Sequence, residues 1–175
     1  MDVLALNCGS SSIKAALIDT ARQRRLLDVR VLNLGKAGCE LRIGDRKEAL
    51  GPQTAPDAAL ARVLAEFSDR GAANAPQAVV HRVVHGGTEF AAPTLLDDTT
   101  VDKLQRLATL APLHNPQALA AVAAARLAFP RLPQVAVFDT AFHATLPRRS
   151  REYALPVELT QRMGLRRFGF HGISH

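Results

Sequence analysis

Val3-Leu4-Ala5-Leu6-Asn7-Cys8-Gly9-Ser10-Ser11-Ser12-Ile13-Lys14-Ala15-Ala16-Leu17-Ile18 is the stretch whose reading decides the fold. Two short apolar runs, Val3 to Asn7 and Ile13 to Ile18, flank a tight turn of small polar residues, which is the pattern of a β-hairpin. Leu26 to Leu34 and Glu40 to Ile43 read as further strands with Gly35 and Gly38 between them, so the chain opens as an antiparallel meander.

The period then changes. Pro56 to Arg70 carries Leu60, Val63, Leu64 and Phe67 at helical spacing, opened by proline and closed by Gly71. Ala78 to Val84 reads as a buried strand, Thr100 to Leu110 and Pro116 to Phe129 as helices, and Gln134 to Phe138 as a strand ending at Asp139. In Asn115-Pro116 the asparagine is expected to cap its helix, with proline at the first helical position. Strands followed by helix–strand–helix–strand predict an α/β domain whose sheet is mixed, antiparallel early and parallel late. After Asp139 the chain becomes loop-like, with Pro147, the Arg148-Arg149-Ser150-Arg151 cluster and Pro156, and a domain boundary is expected near residues 140 to 150.

Composition excludes several classes. A chain of 175 residues that is 47% hydrophobic and 22% charged can bury a core, and is neither disordered nor collagenous. Cys8 and Cys39 alone make no disulfide framework, and a reducing cytoplasm is the default compartment. The longest apolar run, Ala118 to Ala125, falls far short of the ~20 residues of a spanning helix. No basic stretch precedes Val3, so no secretory signal is expected. The net charge of 22 − 16 = +6 favours anionic partners. With aromatics at only 5% and no recognisable module, nucleic acid is not expected among them.

Five segments carry candidate chemistry, and each has a plainer reading beside it. Asn7 to Lys14 offers backbone N–H groups, hydroxyls and a lysine to phosphate oxygens, or is a polar turn. Its spacing fits neither a Walker loop nor a nucleophile elbow. In His81-Arg82-Val83-Val84-His85-Gly86-Gly87 a guanidinium inside an apolar strand needs an anion or an internal carboxylate. His114 stands between Pro112 and Pro116 at a helix start, either aimed by them or merely exposed. Asp139 lies at a strand's C-terminal end, where α/β sheets place metal or catalytic groups, or it caps the next turn. Phe168-Gly169-Phe170-His171-Gly172-Ile173-Ser174-His175 surrounds two histidines with aromatics and glycines. Neither His171/His175 nor His81/His85 has partners at zinc-binding spacing, and no base is identifiable beside Cys8. Arginine, lysine, histidine and a carboxylate for magnesium are the groups phosphoryl transfer uses.

In this order and spacing, the five segments resemble the acetate kinase family. Asn7 to Lys14 looks like its first signature and Arg167 to His175 like its second, with His81 to Gly87 and Leu113-His114-Asn115-Pro116 matching between them. Cys8 stands where alanine or another small residue is common, and Ile173 where threonine is. The resemblance implies the actin-like/sugar-kinase (ribonuclease H-like) fold, with two similar lobes around a cleft. Residues 1–143 would be the acyl-phosphate-side domain and 144–175 the opening segment of a second, nucleotide-side domain. It implies ATP + acetate ⇌ ADP + acetyl phosphate with magnesium, a place in acetyl-CoA biosynthesis, and a homodimer. By position, Arg82 would grip the carboxylate or phosphoryl group, His114 would position the substrate, and His171 would stabilise the transferring phosphoryl. Asp139, with Asn7, would serve the magnesium ion. Asn7, Ser10, Ser12 and Lys14 would face the phosphates of ATP or ADP. Val84, Leu113 and Phe170 would form the acetate methyl pocket. Such a pocket separates one methylene by only about 1–3 kcal/mol, so a propionate kinase is an alternative. A non-catalytic acyl-phosphate-binding module is another. Family members run to more than twice this length, so the chain is expected to hold the first lobe and the start of the second, and to be inactive alone.

Overall fold

The computed structural model describes residues 1–68 and 75–175. The hairpin forms as expected. β1 (Asp2–Cys8) and β2 (Ile13–Asp19) pair antiparallel, with Asn7 opposite Lys14 and Cys8 opposite Ile13. β3 (Arg24–Leu32) and β4 (Glu40–Ile43) continue the meander. A strand the sequence reading lacks, β5 (Arg46–Ala49), pairs with β4 across the two-residue turn Gly44-Asp45. Its sequence, Arg-Lys-Glu-Ala, shows no apolar alternation, as suits a charged edge strand.

β6 (Ala78–Val83) then lies parallel to β1, and β8 (Gln134–Phe138) parallel to β6. The two-residue β7 (Thr94–Leu95), also unanticipated, closes the far edge antiparallel to β8. The sheet order is β5-β4-β3-β2-β1-β6-β8-β7, antiparallel on one side and parallel in the middle. The sequence-predicted mixed sheet is therefore present, with one short strand added at each edge.

Helices pack on one sheet face. α1 (Pro56–Ser68) buries Leu60, Val63, Leu64 and Phe67 against Leu4, Leu6, Leu17, Val29 and Val31. The expected end of this helix at Arg70 and Gly71 lies outside the described residues. α2 (Asp98–Arg106) is capped by Asp97, whose carboxylate accepts the Thr100 N–H at 2.7 Å. The single helix expected over Thr100 to Leu110 is thus two elements, α2 and a 3-10 turn over Leu107–Leu110. α3 (Asn115–Ala128) lays Ala118, Ala121, Val122 and Ala125 along the core. Those small residues let it lie close to both α1 and the sheet. Asn115 is not the cap of α3: the cap position is His114, and the Asn115 amide bonds elsewhere.

The other sheet face carries Ala5, Asn7, Val80, Arg82, Val135 and Val137, all half-buried. Beyond Asp139 the chain runs through a 3-10 turn (Ala141–Thr145), α4 (Arg148–Arg151), α5 (Val157–Met163) and a last 3-10 turn (Gly172–Ser174). Among the described residues no helix is long and apolar enough to cross a membrane.

His81 is built into the helix-covered face and is 1% exposed. Its Nε2–H donates to Gln134 Oε1 at 2.8 Å, and its Nδ1 has no hydrogen-bond partner among the described residues. Burial pushes its pKa from 6.5 down to about 4. The unfolded chain takes up this proton near pH 6.5, whereas the folded chain refuses it until about 4. Stability is therefore full above pH 6.5 and falls between 6.5 and 4, by about 3 kcal/mol from this group. Urea unfolding across that window will show the slope in the wild type and a flatter one in His81→Phe; identical slopes would refute the assignment.

Candidate active site

The parallel strands β1, β6 and β8 end at the same edge of the sheet. Register and alternation place Asn7, Arg82 and Asp139 on one face there, with β6 in the middle. Arg82 bonds to both neighbours. Its Nε donates to Asp139 Oδ1 at 3.0 Å and its Nη2 to Oδ2 at 2.6 Å, a bidentate pair. Its Nη1 donates to Asn7 Oδ1 at 3.2 Å. The Asp139 side chain is 1% exposed and that of Arg82 29% exposed. The carboxylate holds the guanidinium pKa above its ordinary value, so Arg82 is a permanent cation. The two readings of Arg82, internal ion pair and anion grip, are compatible. Of five guanidinium N–H donors, three are engaged in these bonds, and one on Nη1 and one on Nη2 remain. Asp139 does not cap the turn that follows it; its carboxylate belongs to Arg82.

A cleft of about 530 Å3 opens beside this group. Its polar wall is Asn7, the turn residues Gly9, Ser10 and Ser11, Arg82, His114 and His171. Its apolar wall is Val84, Leu110, Ala111, Pro112, Leu113, Ala118 and Phe170. The structure thus brings together Asn7, Ser10, Arg82, Val84, Leu113, His114, Phe170 and His171, with Asp139 behind Arg82. Ser12 and Lys14 do not line the cleft. The Ser12 carbonyl closes the turn by accepting the Gly9 N–H at 2.9 Å. Lys14 is exposed directly opposite Asn7, on the same sheet face. Leu110, Ala111 and Ala118 have no sequence signal, because apolar residues at a helix start look like core.

Two histidines face the cleft differently. His114, at the start of α3, makes no side-chain capping bond. His171 is 76% exposed, in a left-handed backbone conformation, with Nδ1 4.0 Å from Asp139 Oδ2. The segment bearing it is docked at the end of β8. Gly172 N–H donates to the Asp139 carbonyl at 3.1 Å, and any Cβ at Gly172 would collide with that oxygen. His143 Nε2–H donates to the Phe170 carbonyl at 3.0 Å. The buried His85 ring lies 4.4 Å from the Phe168 ring and 5.8 Å from that of Phe170. Burial lowers the His85 pKa, so this packing ring is neutral.

Cys8 also lines the cleft, but burial raises its thiol to about 12, so it stays protonated. Among the described residues no group of three or more His, Cys, Asp and Glu side chains could hold a metal ion. The oxygens of Asp139 and Asn7 that a harder cation would use all accept from Arg82 here. Magnesium takes one or two protein oxygens and completes its shell with phosphates and water.

Comparison with known proteins supplies the wider frame. Residues 2–175 match the sequence profile of the Acetokinase family. The acetate kinase of Streptomyces coelicolor is 44% identical over 181 residues, covering 99% of this chain and 44% of that protein. The acetate kinase of Deinococcus radiodurans is 42% identical over 178 residues, covering 100% and 45%. A propionate kinase from Francisella tularensis superposes with a TM-score of 0.89 at 36% identity, over 99% of this chain and 46% of that one. Porphyromonas gingivalis acetate kinase superposes with a TM-score of 0.81 at 36% identity, again over 99% and 46%. The chain therefore spans less than half the length of the curated relatives it matches. The fold it shares with these structures is the actin-like one.

The ion pair predicts a hierarchy of stabilities. Arg82→Ala leaves a buried carboxylate uncompensated and will lower the unfolding free energy by about 3 kcal/mol. Asp139→Asn leaves a guanidinium that still reaches solvent, and will cost about half as much. Chemical denaturation of both variants checks the order; equal costs, or none, would contradict it.

Proposed function

Because the chain belongs to the acetokinase family, we propose that it carries the acyl and phosphoryl side of an acetate kinase site. The reaction is reversible transfer of the terminal phosphoryl group of ATP to acetate, giving acetyl phosphate and ADP. The observation that carries this reading is Arg82. A bidentate carboxylate fixes the guanidinium, and two N–H donors remain beside a cleft with an apolar wall. A planar cation with two spare donors matches a two-oxygen anion, carboxylate or phosphoryl. Val84, Leu113 and Phe170 offer a short alkyl group an apolar surface. An acyl phosphate has both features.

In this reading the tasks divide among the residues. Arg82, held by Asp139 and Asn7, neutralises the anion and sets its direction, with no reorganisation needed as charge shifts between oxygens. His114 donates from the α3 side and orients the carboxylate. His171, beside Asp139 and exposed to the cleft, donates to the phosphoryl oxygens as the bond changes hands. Ser10 and the turn's backbone face the nucleotide phosphates. Lys14, on the same face as Asn7, adds charge at the cleft's edge rather than inside it. Asp139 and Asn7 would hold magnesium, directly or through water; bound there, the ion neutralises the phosphoryl oxygens. Residues 1–143 form the acyl-phosphate-side domain, and 144–175 begin the nucleotide-side one.

Titration of the chain with acetyl phosphate, followed by 31P line broadening, tests the reading. Arg82→Gln, checked for folding by circular dichroism, will bind at least roughly tenfold more weakly, the scale of a lost charged hydrogen bond. Unchanged affinity would refute it. A propionate kinase is the second reading, favoured by the superposition on the Francisella protein; tighter binding of propionyl than acetyl phosphate would select it.

A further inference from the structure

Val84 and His114 both line the cleft, one just past the end of β6 and one at the start of α3. One fully buried amide joins these two segments. Asn115, 0% exposed, accepts the His85 N–H on Oδ1 at 3.1 Å and donates from Nδ2 to the His85 carbonyl at 2.9 Å. Both bonds start beside His114 and end beside Val84. The next two peptides are held as well. Gly86 N–H donates to Thr140 Oγ1 at 3.1 Å, and Gly87 N–H donates to His85 Nδ1 at 2.9 Å. The N–H groups of three successive residues past β6 thus go to side chains. Nor is there room to shift: a Cβ on Gly86 would lie 2.6 Å from the Phe90 carbonyl oxygen. Asn115 performs this task in place of capping. The α3 start has no side-chain cap, although an asparagine there could supply one.

From this geometry we propose that Asn115 is a specificity-determining positioning residue that gauges the acyl pocket. It fixes the distance between Val84 and the Leu113-His114 wall, and so limits the acyl chain the cleft accepts. The inference rests on the acyl-phosphate reading above. Discrimination by one methylene exists only where the walls do not yield, because a wall that moves accommodates the extra group at little cost. A double hydrogen bond from a buried side chain to a backbone peptide is a rigid spacer, and its replacement by alanine leaves two polar groups unpaired.

The test compares binding of acetate, propionate and butyrate to the chain by ligand-observed NMR, in wild type, Asn115→Ala and Asn115→Asp. Melting temperature is recorded in parallel. The aspartate keeps the acceptor for the His85 N–H and guards against a misfolded alanine variant. The proposal predicts that the ratio of affinities between adjacent chain lengths narrows by about threefold or more in Asn115→Ala, and by less in Asn115→Asp. A merely structural role would weaken all three carboxylates alike, and an unchanged ratio overturns the gauge while leaving the acyl reading intact. No binding of any carboxylate by the wild type overturns the acyl reading itself.

Discussion

The buried pair between Arg82 and Asp139 constrains everything around it. Burying a carboxylate to 1% exposure is costly unless a cation meets it with correct geometry. That requires β6 and β8 to be parallel neighbours in one register, since a slip of one residue would turn Arg82 to the helix-covered face. Asn7 adds the same demand on β1. Three strand ends are thereby locked edge to edge, and the cleft is the space their loops leave above the lock. The helices supply the other half of the constraint. α1 and α3 bury the opposite sheet face with Phe67, Val63, Val122 and a stripe of alanines, which leaves Arg82's face open to the cleft.

The same pair lets one guanidinium serve stability and, on the proposed reading, anion binding. Asp139 uses the side of the guanidinium formed by Nε and Nη2, and the donors left over belong to Nη1 and Nη2. An anion arriving from the cleft meets a cation that is already oriented and partly desolvated. On the proposed reading, the anion's apolar tail would meet Val84, Leu113 and Phe170, which line the same cleft. His114 and His171 enter from separate elements, so the polar wall is assembled from four places in the chain.

Much of this was legible from residue patterns. The β1–β2 hairpin, β6, β8 and the helix after Pro116 each announce themselves by period and punctuation. So do Arg82, as a charge inside an apolar strand, and Asp139, as a carboxylate at a strand's C-terminal end. Their mutual bond was not legible, because 57 positions separate them and only the sheet order makes them neighbours. Asn115 shows how a local signal misleads. Asparagine before proline at a helix start reads as a cap, yet its amide is satisfied 30 positions away at His85. β7 is too short to show a period, and β5 too charged. Ser12 and Lys14 read as phosphate donors from their residue types and from the family resemblance, whereas the turn and strand geometry hold them outside the cleft lining.

The most direct test of the central claim is the low-temperature 1H–15N spectrum of the Arg82 side chain, with and without acetyl phosphate. The Nε–H resonance will stay in place, because Asp139 keeps it, while the Nη resonances will shift as the free donors engage the ligand. A ligand that moves the Nε–H, or leaves the Nη groups untouched, would show that the anion does not bind to the face of Arg82 that Asp139 leaves free.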